Sequence, residues 1–237
     1  MQGERSLHIG IIMDGNGRWG TQQGLSRIKG HTAGAKRVKE IVKYVGTTGV
    51  TVLTIWAFSN DNWKRNKKEV SALMALFGTY IQQEADELYS SNVKVLFIGE
   101  RKSLATKLQK AMNDLEEQTR NNTGLILQVA LNYGGSDELI RAVSKMKEEN
   151  IEVSKETIAD ALDTADIPDP DIVIRTGMPA SEGKLSLWRS SGFMPIQSLQ
   201  SVCVSTEVLW PDFTSEHLEE IIKYAKLETR LFGGQRV

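Results

Sequence analysis

The sequence predicts an α/β fold, a single domain with a mainly parallel central sheet of about six strands flanked by helices. Two observations carry this. Short apolar runs rich in β-branched residues alternate with amphipathic stretches of helical period, and such alternation builds parallel sheets through right-handed crossovers. The chain also lacks an internal repeat, a low-complexity tract or a linker, so residues 1–237 are read as one domain. Hydrophobic residues make up 40% of it, enough for a substantial core.

Leu7–Met13 opens the pattern as a near-continuous apolar run that stops at Asp14, the mark of a strand buried on both faces. A two-glycine turn follows, from which Asn16 or Gly17 can open a helix. Thr32–Val45 carries apolar residues at helical spacing, and Val50–Phe58 reads as the second strand. Glu69–Tyr89 is a long amphipathic helix whose stripe is Val70, Leu73, Met74, Phe77, Tyr80 and Ile81. Val93–Ile98 and Leu125–Ala130 read as strands on either side of a helix at Ser103–Arg120. Helices at Asp137–Lys147 and Lys155–Leu162 lead to strands at Ile172–Ile174 and Val202–Ser205. A last helix spans Ser215–Thr229, with Ser215 as its N-cap.

Composition narrows the function classes. The formal charge of −1, with basic residues scattered, argues against a nucleic-acid partner. A single cysteine, Cys203, excludes an internal disulfide and suits a reducing compartment. Met1 to Ile12 lacks the layout of a secretory signal, and no stretch approaches 18 apolar residues. The expectation is a soluble cytoplasmic protein.

The richest stretch is Met13-Asp14-Gly15-Asn16-Gly17-Arg18-Trp19. Glycines let the backbone turn tightly and bring its N–H groups close to an anion. A helix opening there would aim its positive end at the same place. Asp14, at a strand tip, suits a hard cation such as Mg²⁺, and Arg18 suits phosphate. Acid, amides and arginine within five residues suggest a diphosphate site. In a parallel sheet, ligands bind beyond the carboxyl ends of the strands. That edge also receives Ser59 to Arg65 after the second strand, Asn132-Tyr133-Gly134-Gly135 after the fourth and Arg175-Thr176-Gly177 after the fifth.

Taken together, these segments resemble the cis-prenyltransferases, the undecaprenyl diphosphate synthase family. The match also takes in Gly30-His31, Ala57-Phe58-Ser59, Asn62-Trp63, Glu69, Leu209-Trp210-Pro211-Asp212-Phe213, Arg230 and Phe232-Gly233-Gly234. The resemblance implies extension of an allylic diphosphate, typically farnesyl diphosphate, by isopentenyl diphosphate with cis double bonds, giving a long product such as undecaprenyl diphosphate. It implies Mg²⁺ on Asp14. Gly15, Asn16, Gly17, Arg18, Trp19, Arg27 and Arg65 would cradle the allylic diphosphate, with His31 and Trp63 beside it. Arg175, Arg189 and Ser191 would bind isopentenyl diphosphate. His31, Ser59 and Asn62 are the polar set around proton loss, with the acceptor among them open. Ala57, Leu73, Phe77 and Leu125 would line a hydrophobic tunnel, Leu125 as its floor. The resemblance further implies a homodimer, with Trp210–Phe213 and the carboxyl tail near its interface. A lipid product implies transient contact at the inner membrane face. No Asp-Asp-x-x-Asp cluster occurs, which argues against the trans-prenyltransferases.

Departures from the family concentrate between Arg175 and Trp210. An insertion of about eight residues within Met178–Trp188 is tolerable for a loop, and it leaves Lys184 and Ser186 as an alternative to Arg189 and Ser191. Val202 stands where the family has a glutamate that helps bind Mg²⁺, and Gln200 replaces an aromatic residue. Glu182 or Glu207 could substitute. Ser136 and Asn66 replace an arginine and a proline. Two alternatives therefore stand beside the long-chain synthase. One is a short-chain or irregular-coupling relative; the other is a non-catalytic partner subunit that binds prenyl diphosphates. Arg189→Ala should raise the Michaelis constant for isopentenyl diphosphate far more than Lys184→Ala, and steady-state kinetics showing the reverse ranking would move the insertion.

Overall fold

The computed structural model describes residues 7–179 and 188–226. All six expected strands form: β1 (Leu7–Ile12), β2 (Val50–Ser59), β3 (Lys94–Ile98), β4 (Ile126–Tyr133), β5 (Ile172–Arg175) and β6 (Val202–Ser205). They make one sheet in the order β3-β4-β2-β1-β5-β6, with every pairing parallel. Strand order reverses around β1, which pairs with β2 on one side and β5 on the other. The crevice beyond the carboxyl ends of β1 and β5 is therefore the topological switch point, where ligands of open α/β sheets bind.

Seven α-helices are described: α1 (Asn16–Gln22), α2 (Arg27–Val45), α3 (Lys67–Ser90), α4 (Thr106–Thr119), α5 (Gly135–Glu148), α6 (Lys155–Ala161) and α7 (Ser215–Lys226). The expected start of α2 was Thr32, and the observed one is five residues earlier. Ser26 caps this helix, accepting from the Lys29 N–H at 3.3 Å, and Gly30 is kept in its first turns by packing rather than propensity. A Cβ on Gly30 would lie 2.0 Å from the Asn16 carbonyl oxygen, so only glycine lets α1 cross α2 this closely. Ser215 is the first residue of α7 rather than its cap. The Thr214 carbonyl accepts the Leu218 N–H at 3.2 Å, and the Thr214 N–H donates to His217 Nδ1 at 3.1 Å. The end of that helix beyond Lys226, together with Arg230 and Phe232 to Gly234, lies outside the described residues.

On one face of the sheet, a buried cluster joins Ile41 and Val45 of α2, Val70 and Leu73 of α3, Leu108 and Met112 of α4 and Leu218 of α7. On the other face, Phe193 and Met194 pack on Ile12, Ile98, Ala130, Tyr133 and Val173. The stretch around Phe193 and Met194 thus covers the second core. Trp210 and Phe213, expected near a dimer interface, are wholly buried within this chain.

A polar ladder crosses the buried middle of the sheet. His8 Nε2 lies 2.7 Å from Thr54 Oγ1, which donates to Gln128 Oε1 at 2.9 Å, while His8 Nδ1 meets the Pro168 carbonyl. Burial pushes the His8 imidazole down to about 4 from 6.5. The unfolded chain takes up this proton near pH 6.5 and the folded chain only near pH 4, so stability falls as pH drops through that window. Denaturant titrations should show a loss of about 3 kcal/mol across it, and His8→Gln should remove most of that slope.

Candidate functional site

Asp14 leaves β1 at the switch point, and its own backbone is fixed first. The Asp14 carbonyl accepts from Thr176 Oγ1 at 2.8 Å and from the Trp210 N–H at 3.0 Å. Gly15 then adopts φ +106 as the N-cap of α1, a conformation that favours glycine. Its N–H donates to Asp14 Oδ1 at 2.6 Å. The first bond within α1 runs from the Trp19 N–H to the Gly15 carbonyl at 2.8 Å, so the amides of Asn16, Gly17 and Arg18 stay outside its ladder.

Two arginines meet the Asp14 carboxylate. Arg18 approaches Oδ1 at 3.3 Å and also donates to the Gly177 carbonyl at 2.6 Å. Arg175, at the end of β5, reaches Oδ2 at 3.2 Å. Its other nitrogen donates to Ser191 Oγ at 2.7 Å and to the Arg189 carbonyl at 2.6 Å. Arg175, Ser191 and the Arg189 backbone are therefore brought together, with the Arg189 side chain exposed. Lys184, Ser186 and Glu182 lie outside the described residues.

A second cationic group gathers at the first turns of α2 and α3. Glu69 takes Arg27 through both carboxylate oxygens, at 3.1 and 3.3 Å, and meets His31 Nε2 at 3.4 Å and Arg65 at 3.6 Å. A Cβ on Gly17 would come within 2.7 Å of the Arg27 guanidinium, which places that group over the first turn of α1. Partial burial works against the Glu69 charge, yet Arg27, Arg65 and His31 hold its carboxyl below the usual range. Burial, aided by Arg65, lowers the His31 pKa, so its imidazole is neutral at pH 7 and able to accept a proton. Sequence reasoning gave Glu69 no role; its place three residues after the cap Asn66 was the available signal.

Ser59, Asn62 and Trp63 form a third group at the carboxyl end of β2. Ser59 ends β2 and caps a 3-10 turn, Asn60–Lys64, that carries the other two, and Asn62 Oδ1 accepts the Ser59 N–H at 3.2 Å. Trp63 donates to Asn132 Oδ1 at 2.6 Å, which ties the turn to β4. Trp19 turns instead toward the Trp210–Phe213 segment, donating to Asp212 Oδ1 at 2.8 Å. Val202 lies at the amino end of β6, opposite Ile172. That is about 10 Å along the strands from the level of Arg175, so within this chain position 202 stands away from Asp14. Glu207 follows β6 and is exposed, close in sequence to Val208, whose carbonyl accepts the Gly177 N–H at 2.8 Å.

The donor set fits Mg²⁺ in one form only. Among the described residues, no three His, Cys, Asp or Glu side chains cluster to hold a metal. Asp14 is a single carboxylate, 40% exposed and flanked by two arginines. Mg²⁺ commonly binds one or two carboxylates plus substrate phosphates and water, so these residues suit an ion shared with a diphosphate.

Between α2 and α3 lies a cavity of about 450 Å³, lined chiefly by Val38, Val42, Ile55, Ile81, Leu127 and Val129. Leu73 and Leu125 are buried in the core beside it, and Phe77 packs edge-on against Phe58 at 6.2 Å. Ala57 is half-buried against the same core. None of these four lines the cavity itself.

A family model described as "Putative undecaprenyl diphosphate synthase" matches residues 12–233. An isoprenyl transferase of Bacillus anthracis is 44% identical over 234 residues, covering 96% of this chain and 88% of that protein. The crystal structure of lavandulyl diphosphate synthase from Lavandula x intermedia, in complex with dimethylallyl diphosphate, superposes with a TM-score of 0.87 at 28% identity. That match covers 95% of this chain and 97% of the other. A probable undecaprenyl diphosphate synthase from Campylobacter jejuni gives 0.80 at 26% identity, over 97% and 99% of the two chains.

Gly30→Ala should push α1 off α2, cost about 1–3 kcal/mol of stability and weaken binding of inorganic diphosphate measured by calorimetry. Unchanged affinity in a folded variant would separate that packing from the anion site.

Proposed function

Because the chain belongs to the undecaprenyl diphosphate synthase family of prenyltransferases, we propose that it extends an allylic diphosphate, farnesyl diphosphate as first choice, with isopentenyl diphosphate to a long cis-polyprenyl diphosphate. One juxtaposition supports this reading above others. Arg27 in the first turn of α2 and Arg65 just ahead of α3 gather on Glu69, and the two helices enclose an apolar cavity further along. A molecule with a diphosphate head and a hydrocarbon tail matches both ends.

In this reading the allylic diphosphate sits over the amides of Asn16 to Arg18, held by Arg18, Arg27 and Arg65. Isopentenyl diphosphate takes Arg175 with Ser191 and Arg189. Arginine suits both tasks because its planar donors grip phosphate bidentately. As the allylic C–O bond breaks, charge grows on the leaving diphosphate, and these preorganised donors stabilise it. The isopentenyl double bond attacks the allylic carbon, the new C–C bond forms and one proton leaves the isopentenyl unit. His31 is suited to take that proton, being neutral at pH 7; Ser59 and Asn62 would orient the reacting groups. Mg²⁺ on Asp14, when bound, would offset phosphate charge. The tail grows into the cavity between α2 and α3, near Ala57, Leu73, Phe77 and Leu125.

The fold supplies no helix long and apolar enough to cross a membrane among the described residues. We place the enzyme in the cytoplasm as a homodimer that touches the inner membrane face when it delivers its product. A short-chain or irregular coupling is the second reading, favoured by the likeness to lavandulyl diphosphate synthase.

Purified protein, labelled isopentenyl diphosphate and a Mg²⁺ titration decide between them, with farnesyl, geranyl and dimethylallyl diphosphates as primers. A Mg²⁺-dependent ladder ending at a long product is expected, with Asp14→Ala abolishing it and Leu125→Ala extending it. A single short or branched product would favour the second reading.

A further inference from the structure

Near the end of β4, Asn132 takes a φ of +53, a left-handed conformation in which asparagine is enriched among residues that carry a side chain. It is 4% exposed, and its side-chain amide is held from two sides. Nδ2 donates to the Glu100 carbonyl at 2.8 Å and to Ser103 Oγ at 2.9 Å, while Oδ1 accepts the Trp63 indole N–H at 2.6 Å. A carbonyl only accepts and an indole N–H only donates, so these partners fix which way the amide points. The Glu100 N–H returns to the Asn132 carbonyl at 3.1 Å. The loop after β3 thus sets Asn132, and Asn132 presents one acceptor to the turn that carries Asn62.

The two ends of that turn are held differently. Asn60 donates to Asp137 of α5, which pins the start. Asn62 and Lys64 bond within the segment from Ser59 to Arg65, and Trp63 reaches out of it. Phe58 meets the Trp63 ring edge-on at 5.2 Å, while the indole bond supplies the direction.

We propose that Asn132 is a positioning residue for the condensation, acting through Trp63 to set where Asn62 stands. This rests on the reading of Asn62 as a group that orients the reacting substrates. Asn62 and Trp63 are neighbours in a five-residue turn, so a shift of the indole passes to Asn62 through one peptide unit. Trp63 is 41% exposed. Its N–H, if released by Asn132, can bond to water, so loss of the tether frees the turn rather than stranding a buried donor. Arg65 keeps its own anchor on Glu69. The effect therefore falls on the geometry of the reacting groups, and hence on kcat, more than on substrate affinity.

Asn132→Gly keeps the left-handed backbone and removes the tether; Asn132→Asp keeps an acceptor for the indole. With farnesyl and labelled isopentenyl diphosphates, Asn132→Gly should lower kcat about 10- to 100-fold and leave both Michaelis constants nearly unchanged. Asn132→Asp should recover part of the loss. Trp63→Phe should behave like Asn132→Gly, and the double variant should be no slower than the slower single one. The Trp63 indole N–H resonance, identified by its absence from Trp63→Phe, should move upfield in Asn132→Gly and stay in place in Asn132→Asp. Circular dichroism would verify folding; if Asn132→Gly does not fold, Trp63→Phe, which leaves the bonds between Asn132 and Glu100 intact, carries the kinetic test. With an active wild type, an unchanged kcat, losses that add in the double variant, or an unmoved indole resonance overturns the positioning role alone. A rise in KM that accounts for the whole loss makes Asn132 a binding residue and overturns it too. A wild type that incorporates no isopentenyl diphosphate with any primer instead overturns the transferase reading, and the role of Asn132 with it.

Discussion

The Asn16 carbonyl oxygen occupies the space where residue 30 would carry a side chain, and much of the site follows from that contact. It allows α1 to lie on α2 at backbone distance, so the free amides that follow Asp14 face the first turn of α2. The same approach lets Arg27 extend over Gly17. It also fixes where α2 begins, and with it the wall that α2 contributes to the apolar cavity. Trp210 reinforces the arrangement from below. Its backbone N–H holds Asp14, while its indole donates to the Gly34 carbonyl at 2.8 Å.

Around this frame the chain neutralises its own anion-binding groups. Asp14 answers Arg18 and Arg175, and Glu69 answers Arg27, Arg65 and His31. Like charges packed this closely repel one another, so without these carboxylates the guanidinium groups would spread. An incoming diphosphate offers more charge and more acceptors than either carboxylate. Exchange of partners, rather than creation of new order, is then what binding requires, and preorganised donors lose less entropy on binding.

The described residues that follow Trp188 are held by packing. Phe193 and Met194 are buried on the second face of the sheet, and Gln197 donates to Glu138 Oε2 at 3.0 Å. Glu138 also accepts from the Tyr133 hydroxyl at 2.6 Å, so the segment is locked to β4 and α5. Burial raises the Glu138 pKa despite those bonds. Ser191 is presented to Arg175 from the start of this anchored stretch.

By itself the sequence determined the six strands, their parallel sense and the edge at which Asp14, Ser59, Asn132 and Arg175 emerge. Those features follow from local periodicity and from the handedness of crossovers, both of which act over a few tens of residues. It also marked the arginines, because their types and spacing carry chemistry. Only the tertiary structure decided which of them meet. Arg27 and Arg65 share Glu69, while Arg175 shares Asp14 and Ser191 across 161 and 16 residues. The early start of α2 was hidden because Gly30 reads as a poor helix former until its contact with Asn16 is known. Strand register places Val202 at the amino end of β6, opposite Ile172, a position that no local pattern reveals. Register and close approach are set by partners distant in the chain, so no window of sequence contains them.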